Sequence, residues 1–309
     1  MSVKIGVAPG QWSWTDGDRT FFRFAQECEE LGWDSIWLTD RLVSEKPILE
    51  PVAAMAAIAA TTKTLKFGSS VLIPSLRNPV VLAKQLATVD FLSGGRLLPA
   101  IGLGSEDLRE YESSGIRKKD RAARTDEGIR VMRRLWTENN VTHHGHFYKM
   151  TNITIEPKPL FQPFLPIWIG GRTEYAQRRV ARLGDGWIAS TVTPKEIANG
   201  IKNIGLYLEE EGRSIEEDHY GVILGTYAAK SHEDAIDMIY TYTNRVREDI
   251  PLANYTLAGT PEQILEMIEE YRLAGISKFI LRLACRETES LDQLAWLAET
   301  IAKPINLAN

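Results

Sequence analysis

In the stretch 166-PIWIGGRTEYAQRRVARLGDGWI-188, a strand-like run ends in Gly170 and Gly171 and passes directly into a helical pattern. Two adjacent glycines there make a plain turn, or they let bare backbone N–H groups approach an anion. A phosphate at that point would also meet the positive end of the following helix, and Arg172 would add a charge-assisted contact. Gly102-Leu103-Gly104 is a second glycine-bearing strand end. It lacks the third glycine of a dinucleotide fingerprint, so it either lets the strand end bend or serves another ligand. Gly68-Ser69-Ser70-Val71 interrupts an apolar, β-branched run, which points to a bulge, a close approach by a planar ligand or a small-residue packing site. Trp12 and Trp14, on the first loop, either wall a pocket for an apolar ligand or pack the rim of the fold.

Acid–base and metal chemistry are thinly provided for. The five histidines are His143, His144, His146, His219 and His232, and none falls at a strand end that could carry chemistry. His143-His144-Gly145-His146 has no nearby cysteine or paired carboxylates to close a metal site, and reads as a surface hairpin loop. No G-x-S-x-G elbow, H-E-x-x-H or Walker loop is present. A protein so equipped imports its reactive group as a cofactor.

The elements that position these residues alternate from end to end. Strands are expected at 3–8, 35–39, 65–73, 97–104, 167–170, 187–190, 220–228 and 278–283, each followed by a helical pattern. Two helical segments, 233–248 and 261–274, follow the seventh strand, and an irregular Pro-rich stretch from Glu138 to Pro166 precedes the fifth. Eight β/α units in 309 residues, with no linker, favour one (β/α)8 TIM barrel with an insertion before strand 5 over an open doubly wound sheet. The whole chain, 1–309, is then a single domain. In a barrel the carboxyl ends of the strands carry function, and they contain Trp12, Trp14, Ser70, Val71, Gly102, Gly104, Gly170, Gly171 and Arg172. A net charge of −5 with both signs interspersed gives no support for nucleic-acid or membrane-surface binding. No apolar run is long enough to span a membrane, the N-terminus lacks a signal-peptide pattern, and Cys28 and Cys285 read as reduced thiols of a cytoplasmic protein.

Four segments together resemble the bacterial luciferase-like family of flavin- and deazaflavin-dependent oxidoreductases: 35-SIWLTD-40, 67-FGSSVLIPSLRNPVVLAKQLATVDFLSGGRLLPAIGLG-104, 121-RAARTDEGIRVMRRLWTENNVTHHGHFY-148 and 155-IEPKPLFQPFLPIWIGGRTEYAQRRVARLGDGWI-188. The resemblance implies a TIM barrel binding coenzyme F420 or FMN at its C-terminal face and acting on a small organic substrate. It also implies a non-prolyl cis bond at Ser70–Val71 behind the cofactor's central ring. Gly104, Ser105 and Asp107 would lie near the ring or its side chain, and Gly170 and Gly171 would hold the phosphate. Many members have Asp-His at the end of the second strand; this chain has Asp40-Arg41. Asp40 and Arg41 are therefore the catalytic candidates, with Arg41 either holding an anionic substrate, stabilising the reduced ring, or turning away to pair with Glu45 or Glu50. With F420 the reaction is hydride transfer. With FMN it is monooxygenation, fed by a separate flavin reductase. The family also implies a homodimer, and the non-enzymatic alternative is a flavin-binding barrel without activity.

Overall fold

The short apolar runs of the sequence become the inner ring of a barrel, since strands buried on both faces need no alternation of polarity. In the computed structural model, which describes residues 2–10, 12, 14, 18–161, 163–243 and 246–307, the ring consists of β1 (Lys4–Ala8), β2 (Ser35–Leu38), β3 (Lys66–Ser69), β4 (Leu97–Leu98 and Ala100–Ile101), β5 (Trp168–Gly170), β6 (Gly186–Ser190), β7 (Tyr220–Ala228) and β8 (Lys278–Leu283). All pair in parallel, in the order β4–β3–β2–β1–β8–β7–β6–β5. β4 closes the ring: Leu97 and Leu98 lie opposite Phe67 and Gly68, while Ala100 and Ile101 lie opposite Trp168 and Ile169. Helices α1 (Asp18–Glu30), α2 (Pro51–Thr61), α3 (Pro79–Ser93), α4 (Arg121–Thr137), α5 (Glu174–Leu183), α6 (Pro194–Glu210), α7 (His232–Tyr242), α8 (Pro261–Leu273) and α9 (Ser290–Leu297) flank it. The fold is a TIM barrel, as expected from the alternation of elements. The Thr-Pro helix starts form capping boxes, Thr193 with Glu196 and Thr260 with Gln263.

Inside the barrel the lower half is solid. Trp37 of β2 and Trp168 of β5 fill it, and neighbouring strands carry glycine where the indoles lie. A Cβ on Gly68 would sit 2.9 Å from the Trp37 ring, and one on Gly186 would sit 2.6 Å from the Trp168 ring. This large-against-small matching is how narrow barrels fill their interior. Below the indoles Lys278 is buried against Asp34 in an ion pair. With the bottom plugged, a ligand is best admitted at the carboxyl ends of the strands.

Two elements differ from the sequence expectation. The third strand ends at Ser69 rather than Ile73; the Ser70–Val71 peptide is cis, and Leu72 rejoins the ladder as a single bridge to Ile101. A further strand, Thr256–Gly259, was not foreseen, and it pairs with the upper half of β7. β7 therefore changes partner: Tyr220–Ile223 lie against β6, whereas Gly225–Ala228 lie against Thr256–Gly259. The parting of β6 from β7 beyond Ile223 opens a gap at the barrel mouth. In the insertion, Val141–His144 and Lys149–Ile153 form an antiparallel hairpin. His143 bonds Glu127 at 3.1 Å and His146 packs on Phe147.

At the bottom of the barrel Glu29 clamps the turn before β3, accepting from the N–H groups of Lys63, Thr64 and Leu65 and from the Thr64 hydroxyl. Burial raises its pKa, but these four donors outweigh that and bring it down to about 2. A depressed carboxyl pKa stabilises the fold above its unfolded value, near 4.3, and that contribution fades as pH falls through the folded value. Glu29→Gln is expected to cost about 1–3 kcal/mol at pH 7. Urea unfolding should show the gap to wild type closing between about pH 4.3 and pH 2; a gap that ignores pH would exclude this account.

Candidate cofactor and substrate site

At the end of β2, Asp40 is 3% exposed and takes a bidentate contact from Arg77, at 2.6 and 2.9 Å. It also accepts from the Ile73 N–H at 2.8 Å. Burial pushes the Asp40 carboxyl above its ordinary value, against the pull of the Arg77 guanidinium and the Ile73 amide. Both its oxygens are engaged, and through Ile73 and Arg77 they hold the turn that follows Val71. Arg41 does not pair with Glu45 or Glu50. Its guanidinium lies 3.4 Å from Glu110, a fully buried carboxylate that also takes the Leu42 N–H and the Ser105 hydroxyl. Glu50 instead contacts Arg77, and Glu45 contacts Arg109.

The end of β4 is built around the same carboxylate. Ser105 donates to Glu110 at 2.5 Å, and Asp107 caps the short helix Leu108–Ser113 while binding the Arg109 side chain. That contact holds the Asp107 carboxyl at about 2. Gly104 has φ +82°, beside Ile73 and Tyr111. Ser105 and Asp107 are thus tied within their own loop. Trp12 and Trp14 pack on helix α1. Trp12 is 5% exposed, donates to the Cys285 carbonyl and meets Phe24 edge-on, and Trp14 meets Phe21 in the same way.

At the end of β5, the Gly171 N–H bonds the Ile188 carbonyl, and the Gly171 carbonyl accepts from the Trp187 indole. Gly171 therefore offers no N–H of its own. The open donors are those of the first turn of α5, where the Thr173 side chain satisfies only Ala176. Arg172 is exposed and donates to the Thr191 carbonyl. Next to it, between α5 and α6, is a cavity of about 200 Å³ lined by Arg172, Gln177, Trp187, Glu196, Asn199 and Asn203.

Arg282 was not picked out in the sequence. It is the fifth residue of β8, within 3.5 Å of the Ser70 carbonyl and hydroxyl. It lines a cavity of about 40 Å³ with Ser190, Ile223, Tyr255 and Thr256, in the gap where β7 leaves β6. The signal was present: a cation between two leucines near the end of KFILRL, on the same side as Ile280, which belongs to the barrel-interior cluster. The mouth thus runs from Arg282 and Ser70, across Val71 and Gly170, to the first turn of α5. Small side chains along this line fit a flat ring, and a helix start with an arginine fits a phosphate. None of the described residues along it supplies redox chemistry, which leaves that to a bound group.

A TIM barrel with this mouth is of the cofactor-carrying oxidoreductase class. The particular family follows from comparison: residues 5–278 match the luciferase-like monooxygenase family, and the chain belongs to it. It is 27% identical to the F420-dependent glucose-6-phosphate dehydrogenase of Amycolatopsis mediterranei (strain U-32), over 85% of this chain and 88% of the relative. It is 28% identical to the FMNH(2)-dependent dimethylsulfone monooxygenase of Pseudomonas putida, over 74% and 71% respectively. In fold it is similar to an F420-dependent secondary alcohol dehydrogenase, with a TM-score of 0.84, 20% identity and 99% of both chains covered. The protein is an oxidoreductase of this family.

Proposed function

We propose that the protein binds coenzyme F420 across the barrel mouth and transfers a hydride between it and a small, anionic organic substrate. The observation that carries this is the layout of the mouth: a wall of small residues at Ser70, Val71 and Gly170, a cation at one end in Arg282, and a helix start with Arg172 at the other. F420 is favoured over FMN by the F420-dependent dehydrogenases that match across most of the chain.

When bound, F420 supplies two-electron hydride chemistry. The chain's own residues orient and bind. The first turn of α5 and Arg172 hold the phosphate, and the Asp40–Arg77 pair fixes the turn after Val71. Arg282 holds the substrate's negative group. The family histidine is absent, and Arg41 in its place is tied to Glu110, so the proton that accompanies hydride transfer goes to a substrate-side or solvent base.

Titration with F420 and with FMN, followed by absorbance and fluorescence, tests the reading. Saturable F420 binding, then its reduction by glucose 6-phosphate or another phosphorylated alcohol, is the expected result. Binding of FMN alone would reject hydride transfer and point to monooxygenation with a separate flavin reductase. Arg282→Met is expected to reduce the preference for an anionic substrate over its neutral analogue by tenfold or more, the scale of losing a charge partner in a desolvated site. An unchanged preference would move the anion site elsewhere.

The protein is also proposed to pair with a second copy through α2 and α3. Helix α2, PVAAMAAIAAT, is apolar on all sides, with Ala53 and Ala60 exposed, and α3 exposes Val81, Phe91 and Leu92 nearby. A helix apolar all round belongs in an interior. Light scattering that gives a monomer mass at micromolar concentration would remove this proposal.

A further inference from the structure

Val71 is seated on two glycines. A Cβ on Gly102 would lie 2.3 Å from Val71 Cγ2, and a Cβ on Gly170 would lie 2.5 Å from Val71 Cγ1. Real Cβ atoms do not come so close to a neighbour. The ladder makes the two glycines adjacent: Ala100 lies opposite Trp168 and Ile101 opposite Ile169, so 102 and 170 continue that register at the strand ends. Each methyl of the isopropyl group occupies the place one absent side chain would take. A β-branched side chain has little χ1 freedom with which to move aside. The Leu72 N–H to Ala100 carbonyl bond and the Gly102 N–H to Leu72 carbonyl bond hold the next residue to the same strand, so the backbone cannot retreat either. Val71 remains half-buried, just past the carboxyl end of β3.

We infer that Gly102 and Gly170 are positioning residues that seat Val71, and that Val71 so seated sets the height of the wall on which the cofactor ring rests. The inference rests on the cofactor site proposed above, and it gives Gly170 a different role from phosphate binding. The two glycines act through Val71, and a side chain at either one raises the wall into the ring's space.

The test uses the full chain with Gly102→Ala, Gly170→Ala, Val71→Ala and the double variants Gly102→Ala/Val71→Ala and Gly170→Ala/Val71→Ala. Affinity for F420 and FMN and the thermal midpoint are measured for each. Each glycine variant is expected to bind the wild type's cofactor at least tenfold more weakly. The added Val71→Ala should return affinity to within about threefold of Val71→Ala alone, with a matching non-additive recovery of Tm. Loss of affinity at Gly170→Ala without rescue would make Gly170 a direct cofactor contact and overturn the inference. So would additive Tm values, or glycine variants that bind normally. If wild type binds neither cofactor, the proposed function itself fails and the positioning role falls with it; the Tm cycle would still report whether Val71 is seated as described.

Discussion

Replacing Asp40 by Asn is expected to destabilise the protein by about 3–5 kcal/mol, the usual cost of leaving one member of a buried ion pair alone. Arg77 would keep the Ile73 carbonyl and Glu50, whose side chain is 47% exposed, so the guanidinium would stay largely buried without its main counter-charge. Glu50→Gln, by contrast, should cost under about 1 kcal/mol, as for exposed pairs generally. Burial already pushes the Asp40 carboxyl up, which means desolvation offsets much of the pair's attraction. For that reason the double replacement Asp40→Leu/Arg77→Met is expected to recover most of the loss. The recovered protein would still lack the carboxylate that holds the Ile73 N–H, so cofactor affinity should remain reduced while urea stability returns. Equal effects of Asp40→Asn and Glu50→Gln on the urea midpoint would refute this reading, and would return Asp40 to the list of groups free to act on a ligand.

That contrast marks what the sequence could and could not reveal. The eight barrel strands were legible because short apolar runs between helices are local signals, and the helices themselves start at local signals, with Asn78, Thr193 and Thr260 each capping a helix just before a proline. Thr256–Gly259 was not legible, because four residues without a charge or alternation look like a loop. Its consequence, the parting of β6 and β7, creates the gap that Arg282 lines. Partners distant in sequence were equally hidden. Nothing near Asp40 points to Arg77, and nothing near Arg41 points to Glu110, sixty-nine residues on. The glycine-bearing ends of β4 and β5 were visible as ends. Their steric reason was not, since it lies in the side chain of Val71, beyond the end of β3. Trp12 and Trp14 show the same limit: two aromatic residues on a loop at the catalytic face suit a ligand or the rim equally in sequence, and their edge-on contacts with Phe24 and Phe21 of α1 appear only in the fold.

At Gly171 the prediction turns on comparing two variants. The residue has φ +130°, and a Cβ there would lie 2.8 Å from the Ala176 Cβ, so alanine and aspartate meet the same backbone strain of about 1–3 kcal/mol. Neither variant can be expected to leave stability untouched, and Gly171→Asp alone would confound strain with charge. The difference between the two isolates the charge, because a carboxylate at this point sits at the start of α5. Without cofactor it interacts favourably with the helix dipole, so Gly171→Asp should be more stable than Gly171→Ala by about 0.3–1 kcal/mol. A phosphate held by the same first-turn amides would be repelled by it. At 4 Å and an effective dielectric near 20 the repulsion is about 4 kcal/mol, close to a thousandfold in Kd. Gly171→Asp is thus expected to be the more stable variant and much the weaker binder, an inversion that lost packing cannot produce. Isothermal titration with F420 and with FMN, beside urea unfolding of both variants, reads the two quantities separately. If both variants bind alike, the pair Gly170-Gly171 is a turn shaped by Val71 and Ala176, and the phosphate must be sought elsewhere along the mouth.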